Sequence, residues 1–223
     1  MVLATYKDLC VDVSDDTRMS EFWSAALRLS ERTFDGGDSQ LTGPTPQHGV
    51  WINAVPEERS VKQRVHLDVI AGSVAELERL GAVRVSAEGE FPWTVLTDPE
   101  GGELCVFVRD EVPDYRLYEI GVDAADPAHI ARWWGEVLGG RVVDSERGFS
   151  YVDEIPGAPF DSVDFVPVPE PKQVKNRIHW DVVAPAIRPL LDADARLVRD
   201  RDREIEWTVL ADPEGNEFCV FTG

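Results

Sequence analysis

Two short runs of the chain carry the same three chemically capable residues at the same spacing. Arg64, His66 and Asp68 occupy alternate positions of Lys62-Gln-Arg-Val-His-Leu-Asp-Val69, and Arg177, His179 and Asp181 do so in Lys175-Asn-Arg-Ile-His-Trp-Asp-Val182. Alternate residues of extended backbone share a face. Each trio therefore forms one polar row, and Val65, Leu67 and Val69 point the other way. A guanidinium offers a fork of donors to a carboxylate or another planar anion. An imidazole serves as general acid or base near neutral pH. A structural reading stands beside this one, in which arginine and carboxylate satisfy each other in the interior.

The second chemical feature is a thiol in a repeated hairpin. Trp93-Thr-Val-Leu-Thr-Asp-Pro-Glu-Gly-Gly-Glu-Leu-Cys-Val-Phe107 returns as Trp207-Thr-Val-Leu-Ala-Asp-Pro-Glu-Gly-Asn-Glu-Phe-Cys-Val-Phe221, identical at 12 of 15 positions. Identity at that level marks a tandem duplication. Proline and glycine set the turn between two β-rich runs, placing Cys105 and Cys219 four residues beyond Gly101 and Gly215. A strand cysteine is either a nucleophile, given a cation that lowers its pKa, or a small buried hydrophobe. Trp51, Trp93 and Trp207 offer stacking surface or core packing. Trp51 is the best candidate for a ligand contact, because Asp164 replaces it in the second half.

The elements that must position these residues can be read in chain order. Leu9, Val11 and Val13 alternate with Asp8, Cys10 and Asp12, the pattern of a half-buried strand. Ser14 to Thr17 offers an N-cap, and Met19, Phe22, Trp23, Ala26 and Leu27 follow at helical spacing. Residues 35–49 read as turn and loop, Val50–Val55 as a second strand, and Lys62–Val69 as a third. Ser73 to Glu76 is a capping box opening a short helix, and Val83–Ser86 is a strand before the hairpin. After the polar linker Arg109–Tyr115 the order restarts, with Glu119 in register with Asp8. Pro185 and Pro189 confine the last helix. Each half thus spells a βαβββ-like unit twice.

The composition narrows the function. The 223 residues hold 22 Lys+Arg against 42 Asp+Glu, a net charge of −20. Ten basic and 20 acidic residues lie up to Glu111, and 12 and 22 after it, so each half carries −10. That field disfavours nucleic acid and anionic membrane surfaces. Three cysteines do not make a disulfide framework. The first residues lack a basic region before a long apolar core, and no run has the length of a membrane span. The expectation is a reduced, cytoplasmic protein.

The paired Arg-x-His-x-Asp-Val strands and the Trp-x-x-Leu-x-Asp-Pro-Glu-Gly hairpins resemble the glyoxalase-like branch of the vicinal oxygen chelate superfamily. That superfamily also includes glyoxalase I, extradiol dioxygenases, fosfomycin-resistance enzymes and bleomycin-binding proteins. The resemblance implies an α+β fold in which tandem βαβββ modules form two curled mixed sheets with helices outside. It implies two glyoxalase-like domains, 1–111 and 112–223, each wrapped round its own cup. Metal-dependent members draw ligands from four strand positions. By motif spacing these fall on Asp8, Asn53, Arg64 and Cys105 in the first half, and on Glu119, Val166, Arg177 and Cys219 in the second. A guanidinium opposes a cation and valine cannot ligate. The expectation is that the usual divalent metal site is absent, with His66 and His179 as displaced ligands the exception.

Two functions follow. In the first, a lyase, isomerase or dioxygenase acts on a small oxygenated metabolite. His66, His179, Asp8 and Glu119 are its acid–base candidates, and Arg64, Arg177, Trp51, Asn53, Cys105 and Cys219 line its cups. In the second, the chain sequesters an aromatic or cationic small molecule in acidic cups, without catalysis. The expected partner in either case is a small molecule, with the chain a monomer of two paired domains or a homodimer.

Overall fold

The computed structural model describes residues 2–34 and 38–223. Four βαβββ modules follow one another. The first contains β1 (Thr5–Val13), α1 (Asp16–Leu27), β2 (Ser30–Thr33), β3 (Ser39–Thr42) and β4 (Val50–Ala54). The second contains β5 (Val65–Ala71), α2 (Val74–Arg79), β6 (Val83–Arg84), β7 (Thr94–Thr97) and β8 (Glu103–Val108). The third contains β9 (Leu117–Ala124), α3 (Pro127–Leu138), β10 (Arg141–Asp144), β11 (Ser150–Asp153) and β12 (Ser162–Pro167). The fourth contains β13 (Ile178–Ala184), α4 (Arg188–Asp192), β14 (Arg196–Arg199), β15 (Thr208–Ala211) and β16 (Glu217–Thr222).

Local chemistry explains the helix ends. Asp15 accepts the Arg18 amide and Asp126 accepts the His129 amide, each at 3.0 Å, so both long helices start on a carboxylate cap. Met19, Phe22, Trp23, Ala26 and Leu27 are buried, and α3 buries Ile130, Trp133, Trp134, Val137 and Leu138. These faces cover the outer side of the sheets, where Leu9, Val11, Val13, Ile120 and Val122 are also buried. The opposite faces carry the polar rows. Pro189 sits at the start of α4 and leaves it five residues long.

Two details differ from the sequence pattern. The stretch 35–49 is not all loop: it holds β3 and a 3₁₀ turn at Pro46–His48, while residues 35–37 lie outside the described residues. Four alternating residues suffice for β3 because Leu41 is buried and pairs with Val50. The third strand begins at Val65, so Arg64 precedes β5.

The sheets also differ from one cup per half. Sheet I runs β14-β15-β16-β13-β1-β4-β3-β2, and sheet II runs β10-β11-β12-β9-β5-β8-β7-β6. The first module therefore shares a sheet with the fourth, and the second with the third. The seams are the antiparallel pairs β1–β13 and β5–β9. The chain segments after β4 and β12 cross from one sheet to the other, and arginines fasten the crossings. Arg64 donates to the carbonyls of Glu170 and Asp123 at 2.7 and 2.8 Å. Arg177 donates to the carbonyls of Glu57 and Asp12 at 2.7 and 3.0 Å. Asking a guanidinium to satisfy backbone carbonyls of the other half ties the duplicated units together.

The repeated turn does the same. Ser14 and Asp15 donate their amides to the Glu100 carboxylate at 2.8 and 2.6 Å, and Ala125 and Asp126 donate theirs to Glu214 at 2.8 and 2.7 Å. Each glutamate of Asp-Pro-Glu-Gly thus clamps the entrance of a long helix that belongs to the other sheet. Hydrogen bonds to a charged acceptor contribute about 1.5–3 kcal/mol. Glu100→Ala and Glu214→Ala should each lower the unfolding free energy by about 1–2 kcal/mol in urea melts, with near-additive effects in the double variant. Losses of a few tenths at both positions would show that these clamps do not hold the sheets.

Candidate functional site

Each sheet curls round a polar cup, and matched positions make the two cups comparable. In cup II, on sheet II, β5 brings His66 and Asp68, β8 brings Cys105, β9 brings Glu119 and β12 brings Asp164. All five line one cavity of about 960 Å³. Asp68 lies directly beside Cys105 across the β5–β8 ladder and beside Glu119 across β5–β9. His66 Nδ1 and Asp68 Oδ1 are 2.6 Å apart. Ligating atoms of His66, Asp68 and Cys105 all lie within 4.8 Å of one another.

The imidazole fits there only because residue 121 has no side chain. A Cβ at Gly121 would stand 2.1 Å from His66 Cε1 and 2.3 Å from Nε2. In cup I the repeat mate of Gly121 is Cys10, which faces His179 across β1–β13. His179 is consequently turned away from the geometry of His66. Its Nε2 is 4.0 Å from Asp181 and its Nδ1 is buried without a partner.

Charge separates the cups further. In cup I, Lys7 places its ammonium 2.7 Å from Asp8 and 3.6 Å from Asp181, over the ring of Phe221 at 4.2 Å. The mate of Lys7 is Tyr118, so the floor of cup II has three carboxylates facing His66. Burial and the Asp164 and Asp68 charges push Glu119 up to about 9. Burial likewise pushes Asp164 up to about 6, with Asp68 adding to it. Burial alone would lower His66, but the Asp68 carboxylate raises it well above its ordinary value. Burial holds His179 down at about 4.

Aromatic side chains form the walls of cup II. Phe91 stacks on Trp93 at 5.4 Å, Trp93 meets Phe107 at 5.6 Å, and Phe107 meets Tyr118 at 5.0 Å. Phe149 and Tyr151 face them from the other module. Trp51 belongs to cup I, where it donates to Asp8 at 3.3 Å and stacks on Phe34. Asn53 donates to Asp12 at 3.4 Å.

Arg64 and Arg177 are in neither cup. With Lys62 and Lys175 they line a separate cavity of about 870 Å³ between the crossing segments. They cannot stand against a cation in the cups, as motif spacing alone had placed them. The side chains two residues later, His66 and His179, occupy the floors instead. In cup I Asp8 and Cys219 flank Asp181 and His179 faces Cys10, and in cup II Glu119 and Cys105 flank Asp68 beside His66. Sequence reasoning placed Asp68 and Asp181 in the polar rows as carboxylate partners of the arginines and gave Cys10 no role. Lys7 had no periodic signal. A register shift between Tyr6 and Asp8 brings it out of strict alternation.

The resemblance implies a divalent cation in a cup, and the donors of cup II fit one. A ligating histidine typically gives its other ring nitrogen to a carboxylate, as His66 does to Asp68. His66 and Cys105 are the residues that would hold the cation, with Asp68 beside them.

These proton positions predict a pH dependence for the chelator-treated protein. Folded, Glu119 and Asp164 keep protons that the unfolded chain releases in the ordinary carboxylate range. His66 keeps its proton above its ordinary range. Unfolding then releases protons, so stability falls as pH rises. Thermal melts should show Tm declining from the ordinary carboxylate range up to about pH 9, with Asp164 contributing up to about pH 6 and Glu119 up to about 9. Glu119→Gln should flatten the upper part of that decline, and parallel profiles for the two proteins would contradict the assignment.

No curated protein matches the chain in sequence. Among solved structures it is similar to glyoxalase I from Zea mays, at 13% identity over 98% of this chain and 92% of that one, with a TM-score of 0.71. It is also similar to the cppA protein from Streptococcus pneumoniae TIGR4, at 12% identity over 99% of both chains, with a TM-score of 0.53. At such identities the likeness is one of fold. No helix among the described residues is long and apolar enough to cross a membrane. The sequence profile of the family described as "Glyoxalase-like domain" matches residues 8–107 and again 119–221. The chain therefore belongs to the glyoxalase-like domain family, within the vicinal oxygen chelate superfamily, as two tandem copies.

Proposed function

We propose that cup II is the working site, and that it takes a small oxygenated metabolite with a flat apolar body and moves protons on it. The reaction class is that of a lyase or isomerase. The observation that carries this reading is the convergence of His66, Asp68, Cys105, Glu119 and Asp164 under one aromatic-walled cavity. Trp93, Phe107 and Tyr118 would hold the flat body of the ligand, leaving its oxygens over the polar floor. Glu119 holds a proton near neutral pH because burial and two neighbouring carboxylates keep it there. It can give that proton to an oxygen on which negative charge develops as Asp164, raised only to about 6, takes the carbon-bound proton. Asp68 fixes the ring of His66 through Nδ1, which leaves Nε2 for the ligand. A divalent cation bound at this floor would polarise the ligand's oxygen.

A second reading draws on the same cup. Stacked rings beside carboxylates suit a flat cation, attracted by the acidic field and held on the aromatic faces. On that reading the cup captures its ligand without changing it.

One experiment separates them. A panel of α-hydroxyketones, α-ketoaldehydes, catechols and aromatic amines is incubated with the protein in deuterated buffer. Carbon-bound proton exchange is followed by NMR and binding by tryptophan fluorescence. Proton transfer predicts accelerated exchange for one carbonyl class, reduced by about 10²–10⁴-fold in Glu119→Gln, the usual contribution of a positioned acid or base. Quenching by aromatic amines without exchange in any member would favour capture. Neither exchange nor quenching across the panel would remove cup II as the working site.

A further inference from the structure

The cavity of about 870 Å³ between the crossing segments belongs to neither cup, and the proposed reaction does not use it. Its lining is built from repeat mates. Val61 lines it with Val174, Lys62 with Lys175, and Asp12 with Asp123. Each half therefore brings the same residue types to one shared space. Val61 and Val174 are 38% and 43% exposed, which leaves apolar surface in a lining otherwise rich in charge.

Charge sets the sign of what this space can hold. The lining has five cationic and five acidic side chains, so it is neutral in a chain of net charge −20. Three of the acidic ones, Glu57, Glu58 and Glu170, are exposed, where solvent and salt screen them. Asp12 and Asp123 are buried and each meets a lysine, Lys175 on Asp12 and Lys62 at 2.9 Å from Asp123. Those pairs cancel, and the charges of Arg64 and Arg177 remain. Backbone carbonyls satisfy the guanidinium N–H groups without removing that charge. Arg64 Nε is also buried with no hydrogen-bond partner among the described residues, and Glu100 stands 3.7 Å from Arg177. The lysines keep donors to spare. An ammonium has three N–H groups, and the two side chains are 55% and 57% exposed.

We propose that this cavity binds a small dicarboxylate, with one carboxylate on Lys62, the other on Lys175 and an apolar spacer against Val61 and Val174. The duplication supplies a matching ammonium from each half, so a ligand with like charges at both ends engages both and a monocarboxylate engages one. Charge-assisted hydrogen bonds fix the ends, and the guanidinium charges of Arg64 and Arg177 add attraction through the walls. A diamine meets the opposite situation, because lysines already occupy Asp12 and Asp123. Lys62 and Asp123 also border cup II, whereas Val174 and Lys175 do not. Variants at these two positions therefore report on the central cavity and not on the cup.

The test is titration calorimetry of the full-length protein with succinate, glutarate, adipate and suberate, with butyrate and putrescine as controls. One spacer length should bind best, at least about tenfold tighter than butyrate, as a second charged hydrogen bond contributes. Lys175→Met removes one end and should weaken that ligand about tenfold or more. It also leaves Asp12 without its lysine, so folding is checked by near-ultraviolet circular dichroism. Val174→Asp keeps every ion pair, adds a carboxylate at an exposed position of the lining, and should weaken the same ligand by a similar factor. The proposal is overturned if no dicarboxylate binds, or if butyrate or putrescine binds as tightly as the best of them. It is equally overturned if Val174→Asp or a folded Lys175→Met leaves the affinity unchanged.

Discussion

The His66 ring lies in space that a side chain on residue 121 would fill, and much of the difference between the two cups follows from that constraint. With glycine at 121, the imidazole can lie beside Asp68 at 2.6 Å and close against the strand. Glu119 and Asp164 then crowd the same floor, and burial raises both, Glu119 to about 9 and Asp164 to about 6. With Cys10 at the matching position, His179 loses this arrangement and keeps an unpartnered nitrogen. Lys7 supplies the neutralising charge in cup I that His66 supplies in cup II. One duplicated framework thus carries a carboxyl-rich floor around His66 on one sheet and buried Cys10 and Cys219 on the other.

The framework depends on exchange between the halves. Neither half completes a sheet by itself, because β1 pairs with β13 and β5 with β9. The duplicated arginines look like site residues in sequence, since they stand in a row with histidine and aspartate. Their role here is to satisfy carbonyls of the opposite half at the crossing segments. Asp-Pro-Glu-Gly likewise combines a turn with a clamp, since its glutamate reaches the entrance of a helix on the other sheet.

Much of the fold was legible because it was written twice. Alternation at Leu9, Val11 and Val13, the helical spacing of Met19 to Leu27 and the repeated hairpin all reflect local physics that a single strand or helix must obey. Which modules share a sheet was not legible, since both assignments bury the same strand faces. Asp8, Glu119, His66, His179, Cys105 and Cys219 were visible as polar members of strand rows, and the structure gathers them into the two cups. Arg64 was misplaced because the row was read one turn of the alternation too far. The strand starts at Val65, and beyond it the side chain is free to follow its carbonyl partners. Lys7 depends on a bulge and Gly121 matters through what it lacks, and neither leaves a periodic signal.

The most direct test of this account reads the hydrogen bond between His66 and Asp68 in the chelator-treated protein. Proton NMR should show a downfield imidazole N–H resonance protected from exchange. It should vanish in His66→Gln, persist in His179→Gln, and be lost in Gly121→Cys, which gives cup II the obstruction present in cup I. A resonance that survives Gly121→Cys, or one that belongs to His179, would contradict the claim that the space above Gly121 sets the two cups apart.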